Sequence, residues 1–434
     1  MAAIITGDIR VFNAQQFIES VSESANASIY TFIGGPQTAN AIAATDNTVL
    51  QFDIWDNMIA LKRINGAADV KAGIRKLVWT TGNVYTAYTA DNPNIHQTQF
   101  YVINSDDNKI YKCLGNNNGA ASTVAPTEIT GTTTGNTLLL ADNYRWLCMG
   151  DITGAELAKF GTPSFVPLTP NATIQAAAIS GGILHIDVIN GGSGYSTQPT
   201  IIIDGDGSGA VGNVKYAGGA VSNITMLAVG SNYRFANAYI TGGGGTGANL
   251  RVSIAPIKGH GSNPLEELYA HYAILNTRVE TSDLDFPVGI TYRQIGLVRD
   301  PISRVTDAVA YESTLKAYKT IVFSGAVSGL TQGNVVTGAT SGGNAYVLAA
   351  PSDATGNIFF LQNRTLVSNL SYCYRNFVGG ELVKNEVGST VGTISYVANA
   401  EVIPNTGRVL YVDNRAAITR ATNQSESISI ILEF

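Results

Sequence analysis

At 434 residues the chain is too long for one ordinary core, and at about 150 residues per domain it points to two to four domains. Charged residues make up only 13% while apolar ones reach 45% and glycines number 46, which is a weakly charged, β-rich composition. With 26 basic against 32 acidic residues, a net charge of −6 and no run of Lys or Arg, the sequence argues against a nucleic-acid groove or an anionic membrane surface as its partner.

The amino terminus has no basic stretch followed by a long apolar one, and no apolar run approaches the ~18 residues of a membrane span. Neither a secretory signal nor a span is therefore expected. In residues 13–21, "NAQQFIESV", Phe17, Ile18 and Val21 fall at helical spacing behind Asn13 as a cap, predicting a short amphipathic helix. "SIYTFIGG" follows as a strand. "WDNMIALKRI", residues 55–64, offers Trp55, Met58, Ile59, Leu61 and Ile64 as a broad apolar side and predicts a second helix. From 76 to 114, β-branched and aromatic runs separated by Asn, Asp, Gly and Pro predict hairpins, with "TGN" and "SDDN" as turns. The Gly, Thr and Asn-rich stretch 115–136 reads as a linker or surface excursion, before "NTLLLADNYRWLCMGDI".

Residues 174–257 repeat themselves. "GGSGYSTQPTIIIDGDGSGA" recurs as "VGSNYRFANAYITGGGGTGA", with 38 residues separating Tyr195 from Tyr233 and Gly207 from Gly245. Each copy reads strand, Gly-rich turn with a tyrosine, strand, Gly-rich turn, strand, so that the two copies can bury one another's apolar faces. A second glycine-punctuated region, 321–400, alternates short strands and turns as a small barrel or sandwich would. The predicted fold is mainly β, an α+β core with a few short helices. The core is discontinuous, contributed by 1–173, 258–320 and 401–434, with 174–257 and 321–400 as inserted β domains.

Several motifs resemble chemistry. "GSGAVG", residues 207–212, satisfies a dinucleotide-binding glycine pattern, but the β-branched, glycine-broken continuation does not supply the helix whose amino terminus would hold a pyrophosphate. "DGDGSG" places Asp204 and Asp206 as in a calcium loop, yet Lys215 stands where the bidentate Glu belongs, which favours a solvated turn. His96, His185, His260 and His271 show no zinc spacing. No nucleophile elbow or phosphate loop is present. Glu266 with Glu267, and Asp283 with Asp285, are the available carboxylate pairs; adjacent helical glutamates diverge, and both pairs read as solvated. Cys113, Cys148 and Cys373 read as reduced, buried thiols. "NPLEELYAHYAIL" predicts a helix capped by Asn263, with Pro264 first and His271 packed among Leu268, Tyr272 and Ile274. No catalytic residue, cofactor or metal is expected. The 20 tyrosines fit half-buried β faces, although Tyr195 and Tyr233 could instead contact a glycan.

The segments outside the two inserts resemble the baseplate wedge subunit family known as gene product eight of T-even-type contractile-tail bacteriophages. The resemblance is carried by "GDIRVFNAQQFIESV", "IYTFIGGPQ", "WDNMIALKRI", "NYRWLCMGDI", "YRQIGLVRDP" and the carboxyl end "VLYVDNRAAITRATNQSESISIILEF", in that order. The positions that carry it include Tyr144, Trp146, Arg293, Gln294, Pro301, Asn414 and Arg415. Where the family has a "DQTE"-like run this chain has "NQSE", residues 423–426, and the two glycine-rich regions look like additions. The resemblance implies a non-enzymatic homodimeric scaffold that binds other wedge proteins in the tail baseplate of a virion and is assembled in the host cytoplasm. The alternative expectation is a virion adhesin or carbohydrate-binding module acting through residues 174–257.

Overall fold

The computed structural model describes residues 6–22, 28–35, 48–89, 92–127, 137–327, 329–349, 356–362 and 375–434. The fold is mainly β, as the composition predicts. The chain divides into two compact units, one of Met1–Phe17, Lys71–Ile274 and Ile431–Phe434, the other of Ile18–Val70 and Leu275–Ile430. The sequence reading gave the outer segments a single discontinuous core, whereas the structure divides them between two. The composition shift at 115–136 falls partly on residues outside those described, and a shift of this kind carries no information about which core its flanks join.

In the second unit, five antiparallel strands lie in the order Thr314–Lys316, Met58–Arg63, Ile29–Gly34, Thr291–Arg299, Arg408–Thr419. Met58–Arg63 corrects the predicted second helix: a helix, Thr48–Asp56, ends just before it. Met58, Ile59, Ala60 and Leu61 are all buried, because a central strand is covered on both faces and loses the alternation that would have identified it. Tyr30, Phe32, Trp55, Met58, Leu61, Val298 and Leu315 form the core on this sheet. A Cβ on Gly296 would meet the ring of Phe32 on the next strand at 2.5 Å, so the "IGL" of that block needs its glycine.

The insert predicted at 321–400 closes as a six-stranded barrel, in the order Lys319–Phe323, Asn357–Leu361, Asn344–Ala349, Val335–Gly338, Leu382–Lys384, Thr390–Ala398. Closure removes the edges that short strands would otherwise expose. Ile321, Val336, Val347, Phe360 and Val383 fill it.

In the first unit, Tyr101–Asn104, Lys109–Asn116, Tyr144–Asp151 and Thr137–Leu139 form a four-stranded antiparallel sheet. The "SDDN" turn joins the first two strands as predicted, with Asn108 at φ 53°. Residues 76–89 do not form their own hairpin. They run beside the sheet, where Leu77 accepts from and Trp79 donates to the backbone of Ile103. The first helix runs Gly7–Ser22, so Asn13 is an exposed interior residue and no cap; Asp8 occupies the first turn and Val11, Ala14 and Val21 are buried at helical spacing. Asn263 does cap a helix, accepting from Glu266, but that helix is only Pro264–Glu267, and Tyr272–Val279 is already a strand.

The tandem repeat at 174–257 folds as three two-stranded ribbons, each taking one strand from each copy. Ile183–Ser193 pairs with Thr246–Ile254, Ser208–Ala217 with Ala220–Ser231, and Thr200–Gly205 with Ala236–Thr241. The contacts obey the same exchange. Tyr195 donates its N–H to the carbonyl of Gly219, and Tyr233 donates its own to Gly181. The ring of Tyr195 covers Gly245 and that of Tyr233 covers Gly207, a hypothetical Cβ falling 2.5 Å from the ring in both cases. Neither copy can complete a ribbon or cover its own tyrosine alone.

Candidate functional site

The positions that carry the resemblance fall into two kinds. Tyr144 and Trp146 are buried in the four-stranded sheet, their rings stacked at 5.6 Å with Tyr85 edge-on to Trp146 at 5.4 Å. They hold a core and present nothing to a neighbour. Gln294 and Asn414 face each other across adjacent strands, and the Gln294 amide donates to Asn414 Oδ1 at 2.9 Å. Arg415 follows with its Nε 2.8 Å from Asp413, Arg293 is half-buried, and Pro301 is buried with its carbonyl accepting from Ala310. Asn414 and Arg415 lie on Arg408–Thr419, the outermost strand of its sheet, which pairs with Thr291–Arg299 on one side and with no strand among the described residues on the other. Twelve residues of extended backbone give an edge roughly 40 Å long at 3.3 Å per residue. Such an edge is where a second chain can add a strand.

The tyrosines offered as glycan contacts are not surface groups. Tyr195 is 4% and Tyr233 5% exposed, because each fills the space that the other copy's glycine leaves. Asp206 accepts from the backbone of Arg234 at 2.8 Å and of Phe235 at 3.1 Å and pairs with the Arg234 guanidinium, contacts that bring its carboxyl down to about 2. Both oxygens are engaged in closing the turn. Asp204 sits opposite Asn237 within a ribbon, and "GSGAVG" runs into the strand Ser208–Ala217.

Sequence reasoning missed the buried charges. Lys112 lies wholly within the first unit, its Nζ 2.8 Å from Glu267 and 3.1 Å from His260 Nδ1, and over the ring of Tyr88 at 4.0 Å. Burial and the adjoining ammonium hold His260 neutral, down to about 4. Burial alone would raise Glu267, but Lys112 and His260 outweigh it and bring the carboxyl to about 2. Glu267 is thus an ion-pair partner, where the sequence left it solvated; its other oxygen accepts from Gly261 at 2.6 Å. The visible signal was a lysine inside an apolar strand buried on both faces. In the second unit Arg420, fully buried, donates to the carbonyls of Phe286 and Glu280 and places Nη1 3.3 Å from Glu426. Tyr292 also donates to Glu426, at 3.2 Å. Glu426 ends the "NQSE" run, and Asn423, which begins it, has φ 63°, a conformation that Asn and Asp both tolerate. Asp283 takes Lys62 at 2.8 Å and Asp285 accepts from Thr314, so these two aspartates serve different partners. Burial pushes the thiols of Cys113 and Cys148 up, as expected of inert cysteines; Cys373 lies outside the described residues.

One cleft of about 960 Å³ opens in the first unit. Its wall combines the rings of His96, Phe100, Tyr101, Tyr269, His271 and Tyr272 with the guanidinium groups of Arg10 and Arg75. Tyr269 stacks on His96 at 4.5 Å and 21° and sits at φ 57°, a left-handed conformation that strains a bulky side chain. The imidazole of His271 lies against Tyr272 at 4.0 Å; its Nδ1 donates to the Tyr269 carbonyl at 2.8 Å, and its Nε2 stands 3.5 Å from Glu433. Desolvation and the Lys112 ammonium hold His96 below its ordinary range, so Arg10 and Arg75 supply the fixed positive charge.

Comparison with protein-family models and with curated proteins gave no match. Among the described residues, no helix is long and apolar enough to cross a membrane.

Proposed function

We propose that this chain is a structural, non-enzymatic component of a phage contractile-tail baseplate wedge. In this reading it is a dimeric scaffold that links neighbouring wedge proteins, within a virion tail assembled in the host cytoplasm. The observation that carries the reading is where the resembling blocks meet. "IYTFIGG", "MIALKR", "YRQIGLVR" and "VLYVDNRAAIT" come from residues 29–35, 58–63, 292–299 and 409–419, yet they are four hydrogen-bonded neighbours in one sheet. Both glycine-rich modules are separate from that sheet, which supports their being additions to a common framework. The open edge at Arg408–Thr419 offers main-chain donors and acceptors to a neighbouring chain, with Arg408, Asp413 and Arg415 setting its register by charge.

The test is affinity purification of the tagged chain from phage-infected cells, with mass spectrometry and negative-stain microscopy. A fixed set of tail proteins in wedge-shaped particles is the expected result. Recovery of the chain alone, or with host envelope glycans, would sink the scaffold reading. In this mechanism the subunit's interfaces rearrange when the tail is triggered, so cross-links from the 408–419 edge should differ between extended and contracted particles. Identical cross-links would remove the rearrangement.

A further inference from the structure

We propose that the 960 Å³ cleft of the first unit is a binding site for an acidic saccharide, one whose sugar ring carries a carboxylate. The assignment is independent of the scaffold reading: it uses neither the five-stranded sheet nor the open edge at Arg408–Thr419, although Arg10 and Glu433 lie within two of the resembling blocks.

Sugars present apolar C–H faces alternating with hydroxyls, and they are held by ring side chains together with planar amides and guanidinium groups. The cleft has both: Tyr101, Tyr269 and His96 as rings, and Asn94, Gln97 and Gln99 as amides, the three amides being exposed at its mouth. Charge selects the kind of sugar. Arg75 donates its Nε to the Tyr272 hydroxyl at 3.3 Å, which orients the fork and leaves both terminal nitrogens to other partners. Arg10 uses Nη1 on the main-chain oxygen of Phe434 at 3.0 Å, and its remaining nitrogens are likewise left to other partners. Two oriented guanidinium groups are a carboxylate receptor. Glu433 is the one carboxylate among the described residues of the wall; it stands 3.5 Å from His271 Nε2, and its charge also acts on Arg75.

Two further observations favour a saccharide over an acidic peptide. An extended peptide binds best along an open strand edge, and the strand that enters the cleft, Tyr101–Asn104, already has its outer edge bonded to Leu77 and Trp79 at Ile103. The strain at Tyr269 is the other. A tyrosine held at φ 57° directs its ring onto His96 and into the cleft wall, and strained conformations of this kind persist where a ring must be fixed in place. A ring already immobilised loses no further freedom when a sugar stacks on it.

The experiment is isothermal titration of the full chain with tetragalacturonate, and with maltotetraose as its uncharged counterpart. Saturable binding of tetragalacturonate, at least tenfold tighter than maltotetraose, is expected. Arg75→Gln should weaken it about 10- to 100-fold, the loss of one charge-assisted hydrogen bond. Gln97→Ala, at an exposed position that does not endanger folding, should weaken it several-fold. The proposal is overturned by no saturable binding, by equal binding of the two sugars, or by affinity unchanged in both variants. It is also overturned if inorganic phosphate or an oligoglutamate peptide competes as well as the uronate does, which would reduce the cleft to a simple anion or acidic-peptide site.

Discussion

In each unit, among the described residues, a fully buried cation is paired with a buried carboxylate, and the two pairs are built on different cations. In the first unit Lys112 is a point charge whose contacts, Glu267, His260 and the Tyr88 ring, are all side chains. In the second, Arg420 shares its fork between Glu426 and the main-chain carbonyls of Glu280 and Phe286. The difference teaches that a buried guanidinium can stitch loops whatever the state of its acid, whereas a buried ammonium depends wholly on its neighbours. The inserted modules differ in the same spirit. One is held by reciprocal contacts between two copies, the other by closing a ring of unlike strands.

The largest effect should come from breaking the lysine cluster. Glu267→Gln leaves a fully buried ammonium without its anion and should cost about 3–5 kcal/mol. Glu426→Gln should cost only about 2 kcal/mol, since Arg420 keeps both carbonyls. Urea unfolding read by hydrogen exchange in each unit separates the two, and the reverse order would break the comparison.

Next come the modules. Gly207→Val and Gly245→Val should each cost ~3 kcal/mol, and nearly the same amount, because each inserts a side chain into the other copy's tyrosine. Gly380→Ala in the barrel, where φ is +84° and no atom lies within 4 Å, should cost only about 1 kcal/mol of backbone strain. Unequal effects at Gly207 and Gly245 would show that the reciprocity is geometric and not energetic.

The pH response is a finer probe. His260 and Glu267 both lie below their ordinary values of 6.5 and 4.5 in the folded chain, so the unfolded chain binds more protons in acid and stability rises with pH. Their contribution is complete above pH 6.5 and falls away as the pH drops through about 4 and then about 2. The slope is at most ~1.4 kcal/mol per pH unit for each proton. Thermal unfolding from pH 7 to pH 4 should lose less stability in Glu267→Gln than in the parent. Smallest of all is Asn423→Asp, which gives the "NQSE" run the charge of a "DQTE"-like one at a residue with φ 63° and should change stability by no more than about 0.5 kcal/mol.

What could be read in advance follows from what each element leaves in the sequence. The 38-residue duplication was legible because the same tyrosine and glycine recur at the points where one copy touches the other. The barrel was legible as short strands, but not its closure, since Leu382–Lys384 meets Val335–Gly338 with no local signal. Met58–Arg63 misled because burial on both faces erased its alternation, and the choice between packing and glycan contact for Tyr195 and Tyr233 stayed open because a ring in a sequence does not say which side of a sheet it takes. The cleft was illegible: its wall is gathered from residues 6–10, 75–101, 268–272 and 433, none forming a motif.

The reciprocal pairing of the tandem copies has a consequence for where specificity can reside. Rotating the module so that each copy takes the other's place restores Tyr195 onto Tyr233, Gly192 onto Gly230 and Gly209 onto Gly247, so this tyrosine and glycine frame carries no directional information. The mismatched positions, which are the majority, tell its two faces apart; His185 against Asn223, Asp206 against Gly244 and Thr197 against Phe235 are three of them. Phe235, 66% exposed, faces solvent where its counterpart is a threonine, and His185 pairs with Asp187 where the other copy has Asn223 and Thr225. Any orientation the module imposes on a neighbour must be encoded in the positions where its two copies differ.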